Sequence, residues 1–361
     1  MESRAIPQNS DTDAFGESAF DLVYLLRCAL DGEVPDTQRV ARMDVAALRQ
    51  LASRHMVNAA CSMALEAVGV HDSALVEARG KTVRRAALMD VEREKLFRSM
   101  DGLGIWHAPL KGVVLQGMYP AYGMRQMADN DMLFDVSRAG EVRAIMENMG
   151  FTCEHFGTGA HDIYHKKPVL NFELHRLLFN AACGTKLHEY YRDVERLLVP
   201  DGDGSCGMHF PDEELYVYLV AHEWKHYSAG GTGLRSLMDT YVWLRAKKDS
   251  MDWDLVRAIL DELGLAAFEE RNRRLAIRLF AGGTLDAEDE GVLAYIIESG
   301  THGTFEHRMD NEVRRRGRLG SLVHQLFLPL DTMREDFPIL DCAPFLLPAC
   351  WLARYVIVLF E

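Results

Sequence analysis

The chain has 361 residues, of which 48% are hydrophobic and 26% charged, a balance typical of a globular protein with a sizeable core. Intrinsic disorder is therefore expected only in the polar segment 1–13. The net charge of −14 argues against nucleic acid as a partner, because binding to a phosphate backbone depends on lysine and arginine.

The seven cysteines are scattered and form no CxxC pair, which predicts reduced thiols in a cytoplasmic protein. The N-terminus lacks the apolar core of a signal peptide. The most apolar stretch, 343–360, is interrupted by Pro344, Pro348 and Arg354, so we expect a buried terminal helix rather than a membrane span. The sequence therefore predicts a protein without membrane contact.

The first part of the chain, 14–84, has a helical pattern. Leu22, Leu25 and Leu26 share one face of an amphipathic helix. Asp44 precedes a second apolar run and is predicted as its N-cap. A long charged helix over 81–100 leads into the next region. We assign 14–84 to an N-terminal helical segment.

The pattern changes over 85–200. Strands are predicted over the short apolar runs 104–110, 132–136, 151–156, 162–166 and 169–174. Short helices are predicted over 112–118 and 138–149, the second ending at Gly150. The region is therefore expected to be a small mixed β-sheet unit of α+β class. Helical patterns return and continue through 201–361, which we assign to a C-terminal helical domain.

Two acidic residues, Asp129 and Asp131, open a predicted strand, on which residues two apart project to the same side. Adjacent carboxylates repel each other unless a cation or a proton neutralises them. Oxygen ligands with two negative charges suit magnesium. A third acid, Glu173, shares the polar face of another predicted strand with His175. The pattern favours a magnesium site.

The acidic pair also has a structural interpretation. A DxD pattern arises by chance in many acidic proteins. In that case Asp129 and Asn130 would hydrogen-bond their own backbone in a turn. The surrounding residues decide between the two interpretations.

A phosphate site is predicted just upstream, where Lys111 and Gly112 end one strand and begin a short helix. A helix N-terminus presents free backbone N–H groups to phosphate. Gly112 would allow close approach, and Lys111 would add positive charge. Arg125 could contact a triphosphate with its planar fork. The alternative for Lys111 and Arg125 is a solvated surface charge.

These motifs together resemble the uncharacterised nucleotidyltransferase family, which belongs to the polymerase-β-like superfamily. The resemblance covers most of the chain and rests on Gly104-Ile105, Leu110-Lys111-Gly112, Tyr119-Pro120, Arg125, Asp129-Asn130-Asp131-Met132-Leu133, Gly150-Phe151 and Phe172-Glu173-Leu174-His175. A later segment is also similar to the family at His222, Lys225-His226, Leu234-Arg235 and Asp239.

The resemblance implies a nucleotidyltransferase core over 85–200 that moves a nucleoside monophosphate from an NTP to an acceptor. It implies two magnesium ions bound by Asp129 and Asp131. Glu173 would complete one metal site and help to activate the acceptor hydroxyl. The residues expected to line the substrate cleft are His175, His222, His226, Arg235 and Asp239. Arg235 and Asp239 are also four residues apart, a spacing at which they could pair on a helix surface.

The phosphate motif departs from the superfamily pattern. The wider superfamily usually has Gly-Ser or Gly-Gly at the phosphate-binding helix, whereas this chain has Lys111-Gly112-Val113. The serine hydroxyl is absent. Lys111 would take its place, since Lys-Gly is usual in the narrower family.

His222-Glu223-Trp224-Lys225-His226 also matches the HExxH signature of zinc hydrolases, in which the two histidines bind zinc and the glutamate acts as base. The match lies in a predicted helix, 212–227. The extended zinc signature is missing, because Ala229 and Thr232 stand at the glycine and third-histidine positions. Zinc hydrolysis is therefore the minor alternative, and histidines bonded to neighbours in the fold are the structural one.

A non-catalytic nucleotide-binding module is a further alternative, although all three acids are present. The expected acceptor is a small molecule or a peptide, bound between the sheet and the C-terminal helices because clefts between domains are common ligand sites.

Overall fold

The computed structural model describes residues 10–202, 204–301, 303–337 and 339–360. The described chain begins with α1 (Ser10–Asp31), α2 (Thr37–Val40), α3 (Val45–Arg54), α4 (Asn58–Glu66) and α5 (Ser73–Asp101). The predicted helical character of residues 14–84 is confirmed. Of the segment predicted to be disordered, residues 1–9 lie outside the described part, and residues 10–13 belong to α1.

Aspartate side chains cap three of these helices, α2 at Asp36, α3 at Asp44 and α5 at Asp72. The Asp44 carboxylate accepts hydrogen bonds from the backbone N–H groups of Ala46 and Ala47 at 2.9 and 3.1 Å, which confirms it as the N-cap of α3. Asp72 accepts from the N–H of Leu75 at 3.0 Å and starts α5 in the same way. Each carboxylate satisfies N–H groups that have no partner within the helix.

The central part of the chain is a five-stranded mixed sheet. Its strands are β1 (His107–Pro109), β2 (Asn130–Phe134), β3 (Thr152–His155), β4 (His161–Lys166) and β5 (Leu170–His175). Their order is β1-β2-β5-β4-β3, and neighbours are antiparallel except for the parallel pair β2 and β5. Helices α6 (Gly112–Leu115) and α7 (Ala139–Asn148) lie between strands in the chain. The predicted α+β class is confirmed.

One face of the sheet packs against α5 and α7. Leu170, Phe172 and Leu174 alternate along β5 and are buried in the same apolar cluster as Met89 of α5 and Met146 of α7. This alternation is the pattern of a strand with one apolar face. Glu173, on the opposite side of β5, therefore points away from this cluster.

The remaining chain is largely helical. Its helices are α8 (Thr185–Tyr191), α9 (Asp212–Ala229), α10 (Leu234–Lys247), α11 (Trp253–Leu263), α12 (Ala266–Phe280), α13 (Ala287–Ser299), α14 (Phe305–Leu326), α15 (Leu330–Asp336), α16 (Ile339–Cys342) and α17 (Leu347–Phe360). Two short strands, β6 (Val199–Pro200) and β7 (Met208–His209), form an antiparallel pair. Sequence reasoning missed this pair because two-residue strands show no alternation.

Helices from both ends of the chain share one core. Leu22 and Leu26 of α1 are buried in the same cluster as Leu237 of α10, Leu275 of α12 and Ile296 of α13. α1 contacts α12 directly as well as its neighbours α3 and α4. The N-terminal helices therefore pack against the C-terminal helices, with the sheet unit between them in the sequence.

The apolar C-terminal segment forms α17, but its burial is partial. Cys350 is buried, whereas 69% of Leu352 is exposed, as is 78% of Phe345 just before the helix. The expectation of a buried terminal helix is thus wrong for these residues. No helix in the described part of the chain combines the length and the apolar character needed to cross a bilayer.

Candidate active site

A pocket of about 510 Å³ lies between the sheet and helices α9 and α10. It brings together side chains that are far apart in the sequence. All eleven residues singled out from the sequence line it: Lys111, Gly112, Arg125, Asp129, Asp131, Glu173, His175, His222, His226, Arg235 and Asp239.

The strand register brings two of the three acids together. Asp131 of β2 lies opposite Glu173 of the parallel strand β5, and Asp129 immediately precedes β2. Asn130, between the two aspartates, points to the other side, where its side chain accepts from Arg93 at 3.0 Å and donates to the Met89 carbonyl at 3.2 Å. The alternative of an Asp129-Asn130 turn is therefore wrong.

Asp131 forms close polar contacts with Lys111 and His175. Lys111 Nζ donates to its Oδ1 at 2.8 Å, and His175 Nε2 lies 2.7 Å from the same oxygen. Burial by itself would raise the pKa of Asp131, but Lys111 and His175 outweigh burial and hold the pKa well below its ordinary value. Asp131 is therefore ionised in the folded protein.

The other two acids show the opposite behaviour. Burial, together with repulsion from Asp131 and Glu173, raises the pKa of Asp129 to about 7, although Lys111 and Arg235 act against this shift. Burial and the charge of Asp131 also raise the pKa of Glu173. Three carboxylates so close together favour a bound cation or protons, because either would reduce their repulsion.

His175 belongs to this acidic cluster. One ligand atom each from Asp131, Glu173 and His175 lies within 4.8 Å of the others, close enough to hold a single metal ion. From the sequence, His175 is expected only in the substrate cleft. The signal for a closer role was its position two residues after Glu173 on the same strand face.

Lys111 and Gly112 stand at the entrance to α6. Lys111 has a φ of +42°, a conformation that is strained for a residue with a side chain. A Cβ on Gly112 would lie 2.6 Å from Met127 Sδ and closer still to Arg125 Nη1. Gly112 thus permits the close packing of α6 on the segment that leads to β2. Because α6 has only four residues, its helix dipole would contribute little to the binding of a phosphate.

Arg125 is bound within the protein. Its Nε and Nη2 donate to the two carboxylate oxygens of Asp239 at 2.7 and 2.8 Å, and Tyr119 donates to Asp239 Oδ1 at 2.7 Å. The suggested surface pair of Asp239 with Arg235 is therefore wrong. Arg235 instead donates from Nη1 to the carbonyl of Gln126 at 2.8 Å.

The HExxH histidines lie on the pocket side of α9, with their Nε2 atoms 3.1 Å apart. Glu223 is buried beside Ser236 of α10 and Asn272 of α12, and burial raises its pKa to about 7. Among the described residues, no third carboxylate, thiol or imidazole joins His222 and His226 in a group able to hold a metal. The geometry does not support a zinc site.

His161 and Lys225 also line the pocket. His161 begins β4, where it pairs with His175 of β5, and its Nε2 lies 3.9 Å from Glu173 Oε2. Lys225 of α9 also faces the pocket, and burial together with Lys225 and Lys111 lowers the pKa of His161. His161 is not among the predicted site residues, because the predicted strand begins one residue later, at Asp162.

The model of the family described as uncharacterised nucleotidyltransferase matches residues 41–281, which is more than half of the chain and includes all eleven site residues predicted from the sequence. A search of curated proteins found no match. A search of solved structures also found none. The match over residues 41–281 places the site and the helices on both sides of it in a single family unit, and the chain belongs to the uncharacterised nucleotidyltransferase family.

Proposed function

We propose that the protein is a magnesium-dependent nucleotidyltransferase that moves a nucleoside monophosphate from an NTP to a hydroxyl or phosphate group of an acceptor. The observation that carries this proposal is the register of Asp131 opposite Glu173 on parallel strands, with Asp129 beside them in the pocket. Membership of the family supports the reaction class.

The donor set fits a hard divalent cation. Asp129, Asp131 and Glu173 offer carboxylate oxygens, the ligands that magnesium prefers. The raised pKa of Asp129 reflects burial together with the negative charges of Asp131 and Glu173, and a cation would relieve that repulsion. We assign these three acids as ligands of two magnesium ions. When bound, magnesium supplies the positive charge that neutralises a triphosphate and its transition state.

The protein side chains position the reactants. A bond forms between the acceptor oxygen and the α-phosphorus of the NTP, and the bond from that phosphorus to pyrophosphate breaks. The proton of the acceptor hydroxyl passes to the carboxylate of Glu173, which acts as the general base. Lys111 holds Asp131 ionised. No serine or cysteine nucleophile takes part.

Donor and acceptor share the pocket between the sheet and helices α9 and α10. We assign the donor phosphates to the side of Lys111 and Gly112, and the acceptor to the side of His175, His222 and His226. The volume of about 510 Å³ is in the range of small-molecule sites. The acceptor is therefore proposed to be a small molecule or a peptide side chain, and the net charge of −14 disfavours nucleic acid.

The test is incubation of the purified protein with each labelled NTP, magnesium and fractionated cell extract, followed by detection of a labelled acceptor. We expect label transfer that requires magnesium. Asp131→Asn should abolish it while the circular dichroism spectrum stays that of the wild type. Asp249→Asn, a change of an exposed acid, is the matched control. Unchanged transfer by Asp131→Asn would overturn the proposal, and binding of NTP without turnover would favour a nucleotide-binding module.

A further inference from the structure

We propose that Arg235, and not Arg125, binds the triphosphate of the nucleotide donor. This inference rests on the proposed function and names the side chain that would hold its anionic substrate. It follows from a difference between the two arginines. Arg125 is paired with the carboxylate of Asp239, whereas Arg235 donates to a backbone carbonyl.

Arg235 has a charge without a carboxylate partner among the described residues. Its Nη1 donates to the carbonyl of Gln126 at 2.8 Å and lies 3.7 Å from Met56 Sδ. No acidic side chain forms an ion pair with it in the part of the chain that the structure describes. A guanidinium has five N–H donors, so most of the hydrogen-bonding capacity of Arg235 is available to a ligand.

The position of Arg235 on its helix is also unfavourable for a cation. It is the second residue of α10, which spans Leu234–Lys247, and the N-terminal end of a helix carries the positive end of the dipole. Burial and the nearby Arg125 lower the pKa of Arg235, although the charges of Asp239 and Asp129 act against this shift. Arg235 is thus a buried cation that forms no ion pair among the described residues, which indicates an anion that arrives with the ligand.

The pocket places Arg235 where phosphates are expected. Arg235, Asp129 and Lys111 all line it, so an anion between them would contact a guanidinium on one side and the cations held by the carboxylates on the other. The planar fork of arginine suits two phosphate oxygens at once. Arg125 lines the same pocket, but Asp239 occupies its Nε and Nη2.

The test uses magnesium tripolyphosphate, which carries the phosphates of an NTP without base or sugar. Its binding to the full chain is measured by calorimetry for wild type, Arg235→Gln and Arg235→Lys. We expect Arg235→Gln to weaken binding at least tenfold. Arg235→Lys, which keeps the charge but loses the fork, should give a smaller loss. Arg245→Lys, on the same helix but paired with Asp31, is the matched control and should bind like the wild type.

A second measurement separates ligand binding from a structural role. Manganese alone should bind Arg235→Gln at least as tightly as the wild type, because a cation that repels the metal has been removed. Weakening of both manganese and tripolyphosphate would indicate a damaged pocket and overturn the inference, as would equal tripolyphosphate affinity in all variants. If Arg235→Gln does not fold, the comparison of Arg235→Lys with Arg245→Lys decides.

The inference and the proposed function can fail independently. If nucleotidyl transfer occurs and Arg235→Lys leaves the KM for NTP unchanged, the role of Arg235 is wrong and the function stands. If tripolyphosphate binding depends on Arg235 but no NTP transfers a nucleotide, the anion site stands and the enzymatic proposal fails.

Discussion

Arg125 and Asp239 form a buried bidentate ion pair that joins the segment before β2 to helix α10, with N–O distances of 2.7 and 2.8 Å. The two residues are 114 positions apart in the chain. Their side chains are 8% and 15% exposed, so the pair lies in the wall of the pocket and fixes the position of α10 relative to the sheet.

Removing one partner of this pair should destabilise the protein strongly. Arg125→Met leaves a buried Asp239 without its cation, and loss of one partner of a buried ion pair costs about 3–5 kcal/mol. Urea unfolding measures the change in the free energy of unfolding. The double variant Arg125→Met, Asp239→Leu should recover much of the loss, because neither charge of the pair is then left buried without its partner. A loss below about 1 kcal/mol in the single variant would contradict the prediction.

Magnesium binding should depend on pH through Asp129. Its pKa of about 7 in the free pocket means that it holds a proton below pH 7, and a metal must displace that proton. The affinity should therefore fall as the pH falls from 8 to 5.5, by about tenfold or more over this range. Calorimetric titrations at the two pH values measure the effect.

The control for this pH effect is Asp129→Asn. This variant should bind magnesium more weakly at pH 8 and should show a flatter pH dependence, since the group that titrates near pH 7 is gone. Equal wild-type affinities at pH 5.5 and 8 would refute the assignment of Asp129 as a ligand.

Gly112→Ala should disturb the entrance to α6. The added methyl group would lie 2.6 Å from Met127 Sδ, and overpacking of this kind costs about 1–3 kcal/mol. Gly117→Ala is the matched control, because a Cβ there meets nothing within 4 Å. Thermal unfolding compares the two variants. A Gly112→Ala protein as stable as the Gly117→Ala protein would show that the close approach is not required.

Glu223 should make the protein less stable as the pH rises. Its folded-state pKa is raised to about 7, whereas an unfolded glutamate has a pKa of about 4.3. The folded state therefore holds the proton more tightly, and the stability that this provides is lost between about pH 4.3 and 7. The side chain of Glu223→Gln stays neutral at every pH, so the variant keeps this stability as the pH rises. We expect the variant to match the wild type at pH 5 and to exceed it by about 1–3 kcal/mol at pH 8; the same difference at both pH values would disprove the shift.

The same variant distinguishes the zinc alternative. A zinc hydrolase would need Glu223 as its base, so Glu223→Gln would abolish its activity. We expect the purified protein to contain far less than one zinc ion per chain, and Glu223→Gln to retain magnesium-dependent transfer. Elemental analysis showing one tightly bound zinc per chain would support the hydrolase instead.

The sequence predicted local features of the site better than its long-range contacts. The two-residue strand period placed Asp129 with Asp131 and Glu173 with His175, and each pair shares the pocket in the structure. The ion-pair partner of Asp239 could not be predicted from local spacing. The i,i+4 spacing favoured Arg235, but α10 packs against the segment before β2, and Asp239 therefore pairs with Arg125.

The fold class followed from the alternation of short strands and helices over residues 85–200. The register of β2 against β5, which sets Asp131 opposite Glu173, depends on which strands become neighbours, and the order β1-β2-β5-β4-β3 cannot be read from local periodicity. The same holds for His161, which reaches the site because β4 pairs with β5.

The core shared by the helices at both ends of the chain gives the sheet unit the character of an insertion in a helical protein. Leu22 of α1 and Leu275 of α12 lie in one cluster, so a gene fragment that encodes either helical end alone would expose an apolar surface. A minimal functional fragment must therefore keep helices from both sides of the sheet.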